Sequence, residues 1–401
     1  IDFEDLMIFA LHYGERESPV HNLTKDTYYN SIQVALNTAD SNNTIEVADG
    51  TYDESITFPS GKVIILQSIN GASSTIIKGN EDSYTITFSG SLAGTTLEGF
   101  TITHTEGLTG SGVYVFNSNL TINECIISGN TGSGIYNYGI LTIISSNISS
   151  NTATGIAGGG VYNDGTLTIT SSTISDNIAG NAGGIYSYRG TLTISSSTIS
   201  GNTATGYGGG GIYNYSGTIT ITSSNISGNT AGRGGGIFNY NIGNATIISS
   251  TISSNTADYG AGIYNYTNGT LTIENSSTIS GNAANWYGGG VYNDGTLAIT
   301  SSTISRNTAD NGGGIYNYGG TTTITSSDIS ENSAIDDGGG IYIALISGTI
   351  TIGGSSSGDR KIFNTFTDNF KKGYAPSVDQ HIRDSSGDCH SSYPNNYYNP
   401  N

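Results

Sequence analysis

The side chains able to do chemistry are few and scattered. Between Gly79 and Asp359 there is no lysine, the arginines are Arg189, Arg233 and Arg306, and the one histidine is His104. A lyase acting on uronate polymers needs basic groups to abstract a proton and hold carboxylates, usually with acidic calcium ligands. A glycoside hydrolase needs carboxylates clustered around the scissile bond. The acids in the repeats are Glu124, Asp164, Asp176, Asp258, Glu274, Asp294, Asp310, Asp328, Glu331, Asp336 and Asp337, and they occupy different positions of the repeat that organises the chain. Asp164 and Asp294 share a position but lie five repeats apart. Asp336 and Asp337 fall in a Gly-rich stretch that reads as a solvated turn. No nucleophile motif, phosphate loop or Cys/His cluster is present, so no catalytic, cofactor-binding or metal residue is assigned and no cofactor is required. Turn Asp and Asn oxygens leave peripheral calcium open, without a D-x-D-x-D or nonapeptide repeat to hold it. The chain reads as non-catalytic.

Two further kinds of chemistry are spelled out. N-x-S/T sequons, acceptors for glycosylation in an exported protein, occur at Asn22, Asn42, Asn119, Asn147, Asn214, Asn225, Asn244, Asn265, Asn268 and Asn275. Cys125 and Cys389 lie too far apart along an elongated molecule to pair within it unless the tail folds back. Head-to-tail packing of two subunits would bring them together, so an intersubunit Cys125–Cys389 disulfide is one expectation. Two unrelated free thiols are the other.

Composition narrows the class. The 401 residues hold 31 acidic and 12 basic side chains, a formal charge of −19 that repels phosphates and anionic lipid. Nucleic acid is therefore not an expected partner. No apolar run reaches the roughly 18 residues of a helical membrane span. Charged residues make up 11%, while glycine reaches 59 residues and hydrophobic residues 35%, with isoleucines at regular intervals, which argues against disorder. The chain begins at Ile1, as a processed product or fragment would.

The elements that must position all of these are repeats. A GG-I-Y-N phrase recurs around Tyr114, Tyr136, Tyr162, Tyr186, Tyr213, Phe238, Tyr264, Tyr292, Tyr316 and Tyr342, with a period of about 25 residues. I-x-x-N ends at Asn130, Asn151, Asn177, Asn202, Asn229, Asn255, Asn282, Asn307 and Asn332. Between them lies T-L-T-I-T-S-S, in which Leu167 and Ile169 face one side and Thr166, Thr168 and Thr170 the other. Each unit reads as three short strands, I-Y-N, T-L-T-I-T and T-I-S, with four inward aliphatics. The Gly-rich stretch between Asn and Tyr is the loop side. One such coil cannot bury its apolar face, but stacked coils share a continuous core. Proline is absent from Ser60 to Ala375, as an unbroken ladder requires. The fold class is all-β, a parallel β-helix.

The paired GG-I-Y and I-x-x-N phrases resemble the repeats of chlamydial polymorphic membrane proteins. Ser31 to Ala39 followed by Thr44-Ile-Glu-Val-Ala-Asp-Gly-Thr-Tyr-Asp-Glu-Ser-Ile looks like the cap and first coil of pectate-lyase-like β-helix proteins. Together these resemblances cover about residues 28 to 352. They imply a right-handed β-helix, and within that superfamily lyases, hydrolases, adhesins and passive stalks all occur.

The chain divides into residues 1–27 (an amphipathic helix near Ile1 to Tyr13 and a polar linker from Ser18 to Asp26), the β-helix at 28–357 with a capping helix near 31–39, and an irregular tail at 358–401. Asp2-Phe3-Glu4-Asp5-Leu6 faintly resembles the end of a dockerin repeat, without its calcium loop. Tyr393, Tyr397 and Tyr398 suit the tail to docking on a neighbouring subunit.

Four columns follow from the repeat. The asparagines form an amide ladder that satisfies turn backbone groups. The Tyr column projects outward beside the inward Ile, with a second row at Tyr138, Tyr188, Tyr215, Tyr240, Tyr266 and Tyr318. It serves either as self-stacking rings or as an exposed stripe for glycans or partner rods. The outward threonines (Thr121, Thr142, Thr168, Thr193, Thr220, Thr246, Thr272, Thr323 and Thr351, broken by Ala298) resemble the flat arrays of ice-binding β-solenoids, while a plain water-facing strand surface accounts for them equally. The sequons are the fourth column. The expectation is an extracellular or cell-surface structural rod, either a self-assembling head-to-tail filament subunit or an adhesin stalk. A carbohydrate-active or glycan-binding β-helix is the alternative, and ice binding the minor one.

Overall fold

The computed structural model describes residues 18–155, 158–344, 348–353 and 382–383. One coil shows the plan. Its strands are Ile185–Tyr188, Thr191–Ser195, Thr198–Ser200 and Thr203–Ala204. Each lies parallel and in register with its counterpart in the next coil, Ile185 beside Ile212, Leu192 beside Ile219, Ile199 beside Ile226 and Thr203 beside Thr230. Ile185, Leu192, Ile194 and Ile199 point inward and are fully shielded, as their alternation demands.

The fourth strand corrects the expected three. Its inward residue is alanine (Ala153, Ala179, Ala204, Ala231, Ala257), too small and too brief a signal for strand periodicity to show. These T-A strands build an eight-stranded sheet. The T-I-S strands continue a twelve-stranded one that begins at Gly50–Tyr52, and the I-Y-N and T-L-T-I-T strands belong to a third, larger sheet. At about 4.8 Å per step, twelve stacked strands span about 50 Å.

Single residues in the left-handed region set two of the corners. Ser171, Ser196 and Ser223 turn the chain from T-L-T-I-T into T-I-S, with φ of 50, 49 and 48°. Asp176, Gly201 and Gly228 precede the ladder asparagines with φ of 56, 65 and 65°.

The first coil is closed by the helix Ile32–Thr38, whose Ser31 cap accepts from the Val34 N–H. The Glu54 carboxylate accepts from the Ile32 and Gln33 N–H groups, so the helix N-terminus is capped from the next turn of chain. Ile32, Ala35 and Leu36 seal the end of the core. Ser18 to Asp26 is not merely a linker. Val20–Asn22 pairs antiparallel with both Thr27–Tyr29 and Asn43–Val47, and Val20 is buried, so this segment belongs to the cap. The amphipathic helix and dockerin-like phrase of residues 1–13 lie outside the described residues. So does the tail from 358, apart from Ile382–Arg383, which pairs beside Ile350–Thr351.

Candidate functional site

Three polar ladders fix the corners of the coil. The nine predicted asparagines stack from Asn130 to Asn332. Each Nδ2 donates to the Oδ1 of the next, as in Asn202 to Asn229 (3.0 Å) and Asn229 to Asn255 (2.9 Å). The backbone N–H of each donates to that same oxygen, and Nδ2 also reaches a carbonyl of the preceding coil, Ile199 in the case of Asn229. A second file, made by the asparagines of I-Y-N, was not anticipated. Asn214, Asn239, Asn265, Asn293 and Asn317 are linked by Nδ2–Oδ1 bonds of 2.8–2.9 Å, and Asn137 and Asn163 form an earlier pair. The signal was present, since Asn follows the inward Ile by two residues and must point the same way. The third file is serine, in which Ser172 Oγ accepts from the Ser146 N–H and donates to the Thr170 carbonyl.

The Tyr column differs from an exposed stripe. Tyr186, Tyr213, Phe238, Tyr264, Tyr292 and Tyr316 leave the strand on its outer side but are buried, while Tyr114, Tyr136, Tyr162 and Tyr342 are half-buried. The cause is the corner that follows the T-A strand. The Gly-rich turn folds tightly against these rings, so that a Cβ on Gly312 would lie 2.8 Å from Cβ of Tyr316. The second tyrosine row closes the opposite side, with Tyr188, Tyr215, Tyr240 and Tyr266 packed against the first. Ring spacings match the coil repeat: 4.9 Å for Tyr213–Phe238, 4.3 Å for Tyr264–Tyr292 and 5.2 Å for Tyr292–Tyr316. Burial pushes the phenols of Tyr186 and Tyr264 up to about 12, so the column is neutral at physiological pH.

The rim of this column is partly open to solvent, half-buried over most of its length with two exposed rings beside it. The residues that end the T-A strands include Arg233, Tyr259, Tyr287, Asn311 and Asp337, paired from coil to coil in that order. Beside them Tyr207 is 76% and Trp286 48% exposed. The Trp286 indole packs edge-on to Tyr259 at 5.0 Å, and Tyr287 stacks on Tyr316 at 4.6 Å. The Arg233 guanidinium lies over the rings of Tyr207, Tyr259 and Tyr264 at 5.3–5.9 Å. Rigid aromatic faces in a row, anchored on a β scaffold and edged by carboxylates, suit the apolar faces and hydroxyls of sugar rings. The sequence reading missed these residues because they occupy the variable Gly-rich stretch, where each stands just before the glycines.

Other predicted residues are placed as follows. Asp336 is exposed, but Asp337 is only 8% exposed and ends the strand Ser333–Asp337, which corrects the solvated-turn reading. Burial, and then the Asp336 charge, hold its carboxyl above the usual aspartate value. Among the described residues no group of three or more His, Cys, Asp or Glu is placed to hold a metal ion, and no helix is long and apolar enough to cross a membrane. His104 is buried between Thr85 Oγ1 and the Glu81 carbonyl, a packing role. The threonine column runs in register from Thr121 to Thr351, with Ala298 beside Thr272 and Thr323.

Three sequons are corrected by burial. Asn22, Asn214 and Asn265 have no exposed surface, the last two being members of the second amide file. Asn42, Asn244, Asn268 and Asn275 are exposed, and Asn119, Asn147 and Asn225 half-buried. Expression in a glycosylating host is expected to leave Asn22, Asn214 and Asn265 bare, and glycopeptide mapping would detect any exception. Cys125 heads the serine file, sealed in the core, with its thiol near the Asn123 carbonyl and pushed by burial up to about 12. A thiol so placed is shielded and little reactive, so the Cys125 end lends the expected intersubunit disulfide no support. Cys389 lies outside the described residues.

A family model described as a right-handed β-helix region matches residues 160–332. The chain is a right-handed parallel β-helix. No curated protein matches it. Among solved structures it is similar to the Dettilon tailspike protein (16% identity, TM-score 0.47, 76% of this chain and 63% of that one). It is also similar to pectate lyase Pel9A (17%, 0.42, 67% and 72%) and to PfbA, a surface adhesin of Streptococcus pneumoniae (13%, 0.33, 85% and 92%). The chain thus spans less than two thirds of that tailspike's length. At these identities and superposition scores the likenesses carry no argument about activity.

Proposed function

We propose that this chain is a non-catalytic extracellular rod of the adhesin type, which holds a glycan along the aromatic rim of its β-helix. The observation that supports the reading is an aromatic edge spread over four coils, with Tyr207 and Trp286 exposed, Tyr259 and Tyr287 half-buried, and Arg233 on the coil between Tyr207 and Tyr259. A soluble protein has no packing reason to leave its single tryptophan half in water beside stacked tyrosines. A pyranose unit is about as long as one coil is thick, so a glycan laid along the rod meets the ring of Tyr259 at one step and those of Trp286 and Tyr287 at the next. The acids of the rod remain spread over many registers, which suits binding rather than bond cleavage.

The test is direct. The full chain is applied to an array of cell-surface and plant polysaccharides, and the best binder is titrated by calorimetry. Trp286→Ala is expected to weaken that binding by about 2 kcal/mol, or roughly thirtyfold, without changing the melting temperature. Equal binding by Trp286→Ala and the parent protein would remove the rim from the account. Cleavage of the bound polymer would return the chain to the carbohydrate-active class.

A further inference from the structure

The rim is not electrically uniform. At its upstream end Arg233 already lies over three tyrosine rings, so a cation is accommodated on this aromatic edge within the protein itself. Two and more coils further on, the rings continue as Trp286 and Tyr287, but among the described residues no basic side chain accompanies them. Asp310, Asp336 and Asp337 stand there instead, and among the described residues none of them is in an ion pair. Arg306, the nearest later cation in the chain, is engaged with Glu331. Asp337 is the telling member. It is nine-tenths buried, its register neighbours are Asn311 and then Tyr287, and among the described residues its Oδ1 has no hydrogen-bond partner. Its charge is felt at Tyr342, in the same aromatic column. An unpaired, shielded carboxylate is costly unless something completes it.

The carboxylates do not converge as a metal site requires. A strip of negative charge beside exposed ring faces suits an organic ammonium, which gains from both the carboxylates and the rings. The protein's net charge of −19 favours a cationic polymer over an acidic one in the approach.

We infer that the stretch formed by Tyr259, Trp286, Tyr287, Asp310, Asp336 and Asp337 binds a glycan built of free amino sugars, its ammonium groups on the carboxylates and a pyranose face on Trp286. This inference rests on the glycan-binding reading above and specifies the glycan.

The test compares two oligosaccharides of one backbone, a β-1,4-glucosamine hexamer and its fully N-acetylated form, titrated by calorimetry into the full chain at low salt. The amine form should bind at least roughly tenfold tighter. Asp336→Asn/Asp337→Asn should abolish most of that preference by weakening the amine form far more than the neutral one, and Trp286→Ala should weaken both. Asp337→Asn is isosteric and relieves an unpaired buried charge, so its melting temperature should not fall. The single variant Asp336→Asn, at an exposed position, gives the same readout if the double variant is unstable. Equal affinity for the two forms, or a preference that survives the double variant, overturns the inference and leaves the glycan reading standing. Polylysine binding as tightly as the amine hexamer, with no loss in Trp286→Ala, overturns it as mere charge attraction. If neither oligosaccharide binds and arrays are silent, the glycan reading falls and takes this one with it.

Discussion

Asn229→Ala is expected to lower the free energy of unfolding by about 4 kcal/mol, the largest effect of a single truncation in the rod. The Asn229 side chain is fully buried and makes four hydrogen bonds. Oδ1 accepts from the N–H and the Nδ2 of Asn202, and Nδ2 donates to the Ile199 carbonyl and to Asn255 Oδ1. Alanine leaves the Asn202 N–H with no acceptor in a dry corner, and each such orphan costs roughly 1–3 kcal/mol. Asn229→Asp is the sharper variant. It keeps the shape and both acceptor contacts but turns the donor into an oxygen facing Asn255 Oδ1, so its loss should equal or exceed that of alanine at neutral pH. Urea unfolding of both, with the exposed Asn244→Ala as a control expected within about 0.5 kcal/mol of the parent, decides the matter. If Asn229→Asp proved as stable as the parent, the amide file would be ornamental.

The second large effect is expected at a glycine. The third residue of each Gly-rich corner is glycine in all ten coils: Gly112, Gly134, Gly160, Gly184, Gly211, Gly236, Gly262, Gly290, Gly314 and Gly340. Its φ is ordinary at Gly236, so the reason is proximity rather than conformation. A Cβ there would stand 2.6 Å from the Gly262 carbonyl oxygen, 3.0 Å from Ile252 Cγ2 and 3.1 Å from Asn255 Nδ2. The coil, the core and the amide file all meet at that point. Gly236→Ala should therefore cost about 3 kcal/mol, the upper end of ordinary overpacking, because the nearest atom is backbone of a laddered strand. The preceding register is no freer in this coil, since a Cβ on Gly235 would stand 2.6 Å from the Thr256 carbonyl oxygen and 2.7 Å from that of Ala261, whereas one on Gly232 would meet nothing nearer than the Gly206 oxygen at 3.2 Å. Gly232→Ala should cost less than Gly236→Ala by at least 1 kcal/mol in the same urea assay. Equal losses would mean that the corner resists any side chain and that the three-way contact explains nothing.

These two residues show what a reader of the sequence can and cannot reach. The period, the inward Ile185, Leu192, Ile194 and Ile199, and the first asparagine file were legible because each recurs at a fixed place and faces one way. The capping helix was legible through Ser31 and its apolar stripe. The T-A strand was not, since Ala204 marks its inner face too faintly. Asn214 and Asn265 carried two meanings, sequon and ladder, and only their position two residues after an inward Ile separates them. The burial of Tyr213 and Tyr264 is a property of the corner that folds over them, and pleat alternation says only that they leave the core. Trp286, Asp337 and Arg233 become a site through coil-to-coil register across stretches whose lengths vary. Counting along the chain cannot deliver that register.

The amide files also give the rod a sense of direction. In both of them every amide-to-amide bond runs from Nδ2 to the Oδ1 of the following coil, never back. Their dipoles therefore add, and each bond polarises the next. Among the described residues the first file opens on an Asn130 oxygen without a partner and closes on Asn332, whose Nδ2 donates to the Ile304 carbonyl alone. The molecule is thus an arrow at the level of its hydrogen bonds, oxygen at the tail and N–H at the head. Any coil appended to it would be read for polarity before its side chains were read for fit.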